Sequence, residues 1–145
     1  MLGVPWYGYR YECESSSGGP DPDMMARFCP LPLVPFRGVN CSDAAGSEHG
    51  YAEIVARVAN STTGRQWDEN QGAPWFNALE EAAGGSGRRV LAQYWYDDVH
   101  SLVPKYQLAR RLGLRGVGPY TFLANDGTPA MYEAFDAFLL PPPEL

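Results

Sequence analysis

The chain opens with the run Met1-Leu2-Gly3-Val4-Pro5-Trp6-Tyr7-Gly8-Tyr9, which is apolar and aromatic almost throughout. This composition predicts a β-strand of the kind found in a core. Because a domain seldom begins inside its own core, the strand is either an unusual sheet edge or the continuation of sequence further upstream. Residues 1–11 also lack the basic start, apolar middle and cleavage site of a secretory signal peptide.

Length and composition favour one ordinary domain. The chain has 145 residues, 45% of them hydrophobic, which is enough to build a core. Its formal net charge is −6 and its pI is about 4.8, and basic residues never stand more than two in a row, so we expect no nucleic-acid partner. The longest apolar stretches fall far short of the roughly 20 residues of a transmembrane helix, so no membrane span is predicted.

Three cysteines lie in loop-like sequence rich in Pro, Gly and Ser, where disulfides are more typical than buried thiols: Cys13, Cys29 and Cys41. All three are disulfide candidates, and their pairing is left open because one of them must remain over. Two glycosylation sequons begin at Asn40 and Asn60. Cysteines and sequons together favour the secretory pathway, whereas the lack of a signal peptide opposes it, and a missing N-terminus would reconcile the two.

The first two thirds of the chain predict a mixed region. Glu14–Pro35 is an irregular segment because its prolines and glycines bar regular structure. Apolar residues recur at helical spacing over Gly50–Ala59, which predicts a short amphipathic helix. A glycine-rich gap then separates Trp75-Phe76 from the run Val90–Tyr96, whose aromatic and branched residues predict a pair of short strands joined by a turn.

The last third predicts helix, strand, helix. Ser101 can cap a helix whose first turn holds Pro104 and which Gly113 ends. The run Leu114–Phe122 has the pattern of a buried strand, and a last helix is expected from Thr128-Pro129 onward. A strand flanked by helices needs parallel neighbours, so the chain is predicted to be an α/β protein that forms a portion of a larger sheet or barrel.

Motifs for catalysis and cofactors are absent from the sequence. It has no nucleophile elbow, P-loop or dinucleotide fingerprint, and its cysteines lack C-x-x-C spacing. His49 and His100 lie about fifty positions apart, so neither a metal site nor a cofactor is expected. Asp97 is the most arguable acid because it follows a strand end, but there it would also favour the start of the next helix.

Aromatic residues carry the positive signal. They make up 13% of the chain and cluster at inferred strand ends, around Trp6-Tyr7, Trp75-Phe76, Tyr94–Tyr96 and Tyr120. Aromatic faces stack on the C–H faces of pyranose rings, and Tyr and Trp can bond sugar oxygens. Core packing is the competing interpretation at most of these positions.

Order and spacing add a resemblance. Leu2–Tyr9 resembles the seventh barrel strand of glycoside hydrolase family 18. Further segments resemble the di-N-acetylchitobiase branch of that family, over nearly the whole chain up to Phe122: Val34–Gly38, Cys41–Gly46, Trp67-Asp68, Ala73-Pro74, Trp95–Asp97 and Leu114–Gly118. The three cysteines also fall where that branch has cysteines.

The resemblance implies an α/β fold that is a partial (β/α)8 TIM barrel, comprising about the last two strands and helices, with an irregular α+β insertion. Residues 1–145 would be the C-terminal part of one barrel domain, and residues 10–92 the insertion between the seventh strand and its helix. The opening strand would then be a cut edge rather than a beginning.

The resemblance also implies a chemistry. Family 18 enzymes are retaining glycosidases in which the substrate's own N-acetyl group attacks the anomeric carbon while a Glu protonates the leaving oxygen. That Glu ends a D-x-x-D-x-D-x-E motif, which this sequence does not contain. No catalytic residue is therefore expected in this chain. Tyr7 and Tyr120 match sugar-binding positions, although Tyr120 stands where the family has Trp, and Trp6 either flanks the sugar or packs in the core.

Three functions follow as expectations. The first is the C-terminal part of a glycosidase for N-acetylglucosamine oligosaccharides, such as the chitobiose core or chitin fragments, in the lysosome or outside the cell. Its partner would be the missing N-terminal part of the barrel. The alternatives are a non-catalytic carbohydrate-binding module and an incomplete gene product.

Overall fold

The computed structural model describes residues 1–14, 23–85 and 87–140. Nine strands lie in this part of the chain: β1 (Leu2–Pro5), β2 (Tyr7–Glu12), β3 (Val34–Phe36), β4 (Val39–Cys41), β5 (Ser47–Gly50), β6 (Gln66–Asp68), β7 (Ala73–Glu81), β8 (Arg89–Tyr96) and β9 (Val117–Tyr120). Four helices accompany them: α1 (Tyr51–Val58), α2 (Val99–Arg111), α3 (Ala130–Glu133) and α4 (Asp136–Leu139).

Two strands from opposite ends of the chain form a parallel pair. Strand β1 pairs with β9, with Leu2 opposite Val117 and Pro5 opposite Tyr120. Helix α2 precedes β9 in the chain, and α3 and α4 follow it. The prediction of an α/β arrangement with parallel strands at both ends of the chain is therefore confirmed.

A second sheet of five antiparallel strands lies between them in sequence, in the order β5-β2-β8-β7-β6. Strand β8 lies at its centre, with Arg10 of β2 opposite Tyr94 on one side and Phe76 of β7 opposite Tyr94 on the other. The expected pair of strands is present as β7 and β8, and both are long. Both α and β elements are present in this region, as expected, and long-range strand pairing orders part of it.

The single strand expected over Met1–Tyr9 is divided at Trp6. Its N–H donates to the Tyr120 carbonyl at 2.9 Å, as the parallel pair requires, while its carbonyl accepts from the Tyr51 N–H at 3.0 Å. The backbone of this one residue therefore serves two structures, and the chain leaves the parallel pair for the antiparallel sheet. Gly8 makes that passage possible, because a Cβ there would lie 2.6 Å from Tyr96 Cβ and collide with the β8 backbone.

One hydrophobic core joins both sheets to the helices. Phe76 and Tyr94 stack with their ring centroids 4.6 Å apart beneath Ile54 of α1. Leu102 of α2 and Met131 of α3 continue the same cluster beside the parallel pair. The buried residues of α1, Tyr51 and Ile54, lie on the apolar face that its amphipathic pattern predicted.

Two helix predictions need correction. Helix α2 begins at Val99 with Asp98 as its N-cap, and Ser101 is the third helical residue of a capping box, not the cap. Pro104 accordingly lies in the second turn, beyond the first. The last helix is two short ones, α3 and α4.

The disulfide joins Cys13 and Cys29, and Cys41 is unpaired. Two buried amides of the antiparallel sheet hold the segment between them. Asn77 Nδ2 donates to the carbonyls of Met24 and Ala26 at 2.9 and 2.8 Å, and Gln93 Nε2 donates to the Arg27 carbonyl at 3.0 Å. The part of Glu14–Pro35 that falls on residues 15–22 lies outside the described residues.

Within the described ranges, no helix combines the length and apolar character that crossing a bilayer requires.

Candidate functional site

Tyr120 ends strand β9 and is the most exposed aromatic side chain of the parallel pair. Two thirds of it, 66%, faces solvent, and the peptide bond that follows it is cis. Side chains alternate across a strand, so Tyr120 shares its face of the pair with Gly118, while Val117 packs against the core on the other face. The ring therefore stands at the strand end over an open surface.

Two glycines form the floor of that surface. Gly3 lies opposite Gly118 in the register of β1 and β9. A Cβ at either position would meet no described atom within 4 Å. Nothing in the described part of the chain therefore covers this face of the parallel pair.

Tyr7 lies beside Tyr120 at the start of β2. Their ring centroids are 6.2 Å apart and the rings are nearly perpendicular, at 87°. Partial burial, and next to it the phenol of Tyr9, raise the pKa of Tyr7 above its ordinary value of 10.0. Its hydroxyl therefore stays protonated at neutral pH and keeps a hydrogen to donate.

The aromatic row continues along β2. Tyr9 lies 5.9 Å from Tyr7 and Tyr11 lies 6.2 Å from Tyr9, centroid to centroid. The Tyr11 hydroxyl donates to Asp43 at 3.1 Å, and burial together with this hydrogen bond raises the pKa of Tyr11. We call the four rings of Tyr120, Tyr7, Tyr9 and Tyr11 the tyrosine row. From the sequence, Tyr9 counts among the clustered aromatic residues but not among the site residues, and Tyr11 is missed, although alternation over residues 7–11 could have indicated it.

A second group of aromatic rings flanks the row. Trp95 lies opposite Tyr9 in the register of β8 and β2. It stacks on Trp75 at 5.9 Å and on Phe28 at 5.8 Å, and its Nε1–H donates to Gln93 at 2.9 Å. This face of the antiparallel sheet is therefore aromatic over three neighbouring strands.

Trp6 lies elsewhere. It is completely buried, at 0% exposure, and contacts the rings of Phe122, Tyr132 and Phe135 with centroids 5.1 to 5.9 Å away. Of the two interpretations of Trp6, the structure favours core packing over contact with a sugar.

Asp97 has structural partners. It is buried, accepts a hydrogen bond from Ser101 Oγ at 2.6 Å and pairs with Lys105. Both partners belong to α2, so the carboxylate anchors the beginning of that helix.

Asn40 lies in β4 and Asn60 directly after α1, and both side chains are exposed. Their glycosylation stays a prediction. Among the described residues no group of three or more His, Cys, Asp or Glu side chains is placed to hold a metal ion.

The chain is similar to several known proteins in fold and in sequence. No family model matches the chain. Among solved structures, it is similar to a chitinase from Chromobacterium violaceum (TM-score 0.60, 18% identity, 97% of this chain and 32% of that one). It is also similar to a GH18 chitinase from Cycas revoluta in complex with (GlcNAc)4 (TM-score 0.63, 13% identity, 95% and 33%). The fold is therefore one found in glycoside hydrolase family 18 chitinases, over about a third of their length.

Curated relatives carry the assignment further. The chain is 39% identical over 118 residues to the di-N-acetylchitobiase of Rattus norvegicus and 38% identical over 120 residues to a probable di-N-acetylchitobiase 2 of Dictyostelium discoideum. Each match covers 81% of this chain and 29% of the relative. The chain belongs to glycoside hydrolase family 18, is di-N-acetylchitobiase-like, and corresponds to the C-terminal portion of these relatives. It spans under a third of their length.

Proposed function

We propose that this chain supplies the sugar-binding end of a glycosidase barrel that acts on N-acetylglucosamine oligosaccharides, such as the chitobiose core or chitin fragments. One observation carries the proposal: Tyr120 and Tyr7 stand side by side at the strand ends, next to the open surface of Gly3 and Gly118. Working residues of TIM barrels lie at the C-terminal ends of their strands. The names of the curated relatives support the substrate class.

In this proposal β1 and β9 are the last two strands of a (β/α)8 barrel. Most of the antiparallel sheet, together with α1, belongs to the insertion over residues 10–92, between the seventh strand and its helix α2. Parallel sheets are covered on both faces in α/β proteins, so the open glycine face is the side that the other barrel strands would cover. The partner is accordingly the N-terminal part of the barrel.

The division of labour follows from the side chains. Tyr120 would stack on a pyranose ring and Tyr7 would donate its hydroxyl hydrogen to a sugar oxygen. The general acid of the substrate-assisted retaining mechanism ends a D-x-x-D-x-D-x-E motif, which the printed sequence lacks. We therefore assign binding and orientation of the sugar to this chain, and no proton transfer to the leaving oxygen.

The non-catalytic carbohydrate-binding module remains the second candidate. The tyrosine row favours it, because Tyr9 and Tyr11 extend an aromatic surface beyond the strand end. A sugar chain could lie along such a surface without being cleaved. The disulfide between Cys13 and Cys29 supports a location in the secretory pathway for either candidate.

Isothermal titration with N-acetylglucosamine oligomers tests the binding role. We expect Tyr120→Ala to weaken binding roughly five- to tenfold, because loss of one stacked ring costs about 1 kcal/mol. Leu123→Ala is the matched control, since Leu123 is exposed and lies three residues away, and it should bind like the wild type. Equal affinity of the Tyr120 variant and the wild type would contradict the assignment.

Hydrolysis separates the two candidates. The chain is mixed with a fluorogenic chitobioside, alone and together with the N-terminal part of a relative's barrel. Turnover that appears only in the mixture supports the glycosidase, and binding without turnover in both supports the module. Turnover by the chain alone would contradict the proposal that this chain does not supply the general acid.

A further inference from the structure

Three polar side chains on the edge strand β5 and in the first turn of α1 are linked to one another by hydrogen bonds. Ser47 Oγ lies 2.9 Å from His49 Nε2, and His49 Nδ1 lies 2.8 Å from Glu53 Oε1. The serine therefore meets one ring nitrogen and the carboxylate meets the other. This is the order of contacts in a Ser-His-acid triad, which is recognised by geometry and not by sequence position.

The positions of the protons in these two hydrogen bonds can be assigned. Hydrogen bonds from His49 and Arg57, which outweigh an opposing effect of burial, hold the pKa of Glu53 below its ordinary value. Its carboxylate is therefore ionised near neutral pH and can only accept hydrogen bonds. In the neutral imidazole the hydrogen then lies on Nδ1, and the lone pair of Nε2 faces the Ser47 hydroxyl at 2.9 Å, closer than the other acceptor of that hydroxyl, the Arg10 carbonyl at 3.5 Å. That is the tautomer in which a histidine acts as a general base on a serine.

An open cavity of about 460 Å³ borders the serine and the histidine. Its other described lining residues are all charged except Ala83: Arg10, Glu48, Arg57, Glu80 and Glu81. Arg57 reaches Glu53 with Nη2 at 2.8 Å and Glu80 with Nη1 at 3.3 Å. Its Nε–H is buried and has no acceptor among the described residues, so the two Nη atoms carry the contacts that Arg57 makes beside the cavity.

Ser47 and His49 lie on the face of the antiparallel sheet opposite the tyrosine row, although Glu48, which also lines the cavity, faces the side of the row. His49 lies opposite Gly8 in the register of β5 and β2, whereas Glu48 lies opposite Tyr9. Because side chains alternate across a strand, His49 and Ser47 occupy the face that Arg10 and Tyr94 share. A ligand bound at Ser47 and His49 would therefore lie on the other face of the sheet from Tyr7 and Tyr9.

We propose that Ser47, His49 and Glu53 form a second, hydrolytic site that cleaves short O-acyl esters of polar alcohols. Ser47 is the nucleophile, His49 the general base and Glu53 the group that orients the imidazole. The polar walls and single apolar residue of the cavity suit a small acyl group on a hydrophilic alcohol, such as an O-acetylated sugar. The cationic guanidinium of Arg57, which lines the same cavity, is the group assigned to stabilise the oxyanion.

The reaction balances without a cofactor. Ser47 Oγ attacks the ester carbonyl carbon, and its proton passes to His49 Nε2. The tetrahedral oxyanion then collapses, the ester C–O bond breaks, and His49 returns the proton to the leaving alcohol. Water attacks the acylated Ser47 with His49 again as base, which releases the carboxylic acid and restores the serine hydroxyl.

Labelling of the 145-residue chain with a fluorophosphonate tests the nucleophile, and hydrolysis of 4-nitrophenyl acetate tests turnover. We expect peptide mass spectrometry to place the phosphonate on Ser47, and Ser47→Ala to lose both the label and at least about 90% of the ester hydrolysis. His49→Gln should lower turnover by about 100-fold. Ser42→Ala is the matched control, because Ser42 makes no capping hydrogen bond, and it should keep the wild-type rate.

Circular dichroism of the four proteins shows whether each variant is folded. Absence of label at Ser47 in the folded wild type would overturn the proposal. So would a folded Ser47→Ala variant that hydrolyses the ester at the wild-type rate, since the reaction would then come from other nucleophiles. Neither result bears on the separate proposal that Tyr120 binds sugar.

Discussion

The antiparallel sheet and the parallel pair β1–β9 differ in how many of their edges and faces the described residues cover. In the antiparallel sheet the central strand β8 has a partner on each side, and α1 packs on one face. In the parallel pair the described residues supply helices on one face only, and Gly3 and Gly118 lie open on the other. A strand sequence therefore does not reveal by itself which of its faces the described residues cover.

The difference has an energetic side. Parallel strands in α/β proteins are normally buried on both faces, and two strands form an independently stable sheet only with a helix or further strands packed on them. Among the described residues, the parallel pair packs in the shared core with α2, α3 and Trp6 on one face. We therefore expect the antiparallel sheet to dominate the stability of the chain.

The largest expected effect is a core truncation in each region. Phe76→Ala should lower the free energy of unfolding by about 3–5 kcal/mol, because Phe76 is fully buried against Tyr94. Val4→Ala in the parallel pair should cost about 1.5 kcal/mol, the value of two buried methyl groups. Denaturant titration measures both. If Val4→Ala proved as costly as Phe76→Ala, the parallel pair would be as tightly held as the antiparallel sheet.

The disulfide is the next largest contribution, and it belongs to the antiparallel region. Replacing Cys13 and Cys29 together by Ser should cost about 3 kcal/mol, because the bond closes a loop with a sequence separation of 16. Cys41→Ser, which removes the unpaired thiol, is the control and should change the free energy of unfolding little. If both variants lost the same free energy of unfolding under non-reducing conditions, the disulfide would not be a specific source of stability for the antiparallel region.

The smallest expected effect is an acid dependence of the antiparallel sheet. Glu12 accepts the N–H of Ala83 and also pairs with Arg10, and these contacts lower its pKa from the ordinary 4.5. Because the folded-state pKa is depressed, the stabilisation is fully present above that ordinary value and is lost as the pH falls through the lower one. Glu12→Gln should therefore lose less stability than the wild type between about pH 6 and about pH 3. Glu69→Gln, at an exposed position, should follow the wild type.

Local patterns in the sequence predicted the elements that depend on neighbours in sequence. The helix expected over Gly50–Ala59 is α1, Tyr51–Val58, and the expected strand Leu114–Phe122 contains β9. The antiparallel sheet could not be predicted in this way, because its pairs join distant residues such as Tyr9 and Trp95. Trp6 shows the same limit, since its two backbone bonds go to residues 51 and 120.

The candidate sugar site was predictable in part. The resemblance to a known family pointed to Tyr7 and Tyr120, and the structure brings their rings within 6.2 Å. Whether they bind sugar stays a prediction. The link between Ser47 and Glu53 depends on how β5 runs into α1, which no motif in the sequence records.

The amides of Asn77 and Gln93 hold residues 24–27 through main-chain carbonyls. A carbonyl is the same in every residue, so this contact places no demand on the side chains of Met24 and Met25, which point largely to solvent. The segment can therefore change its amino acids over evolution and keep its path, provided that the two amides remain. In a family alignment, we expect Asn77 and Gln93 to vary less than the loop that they hold.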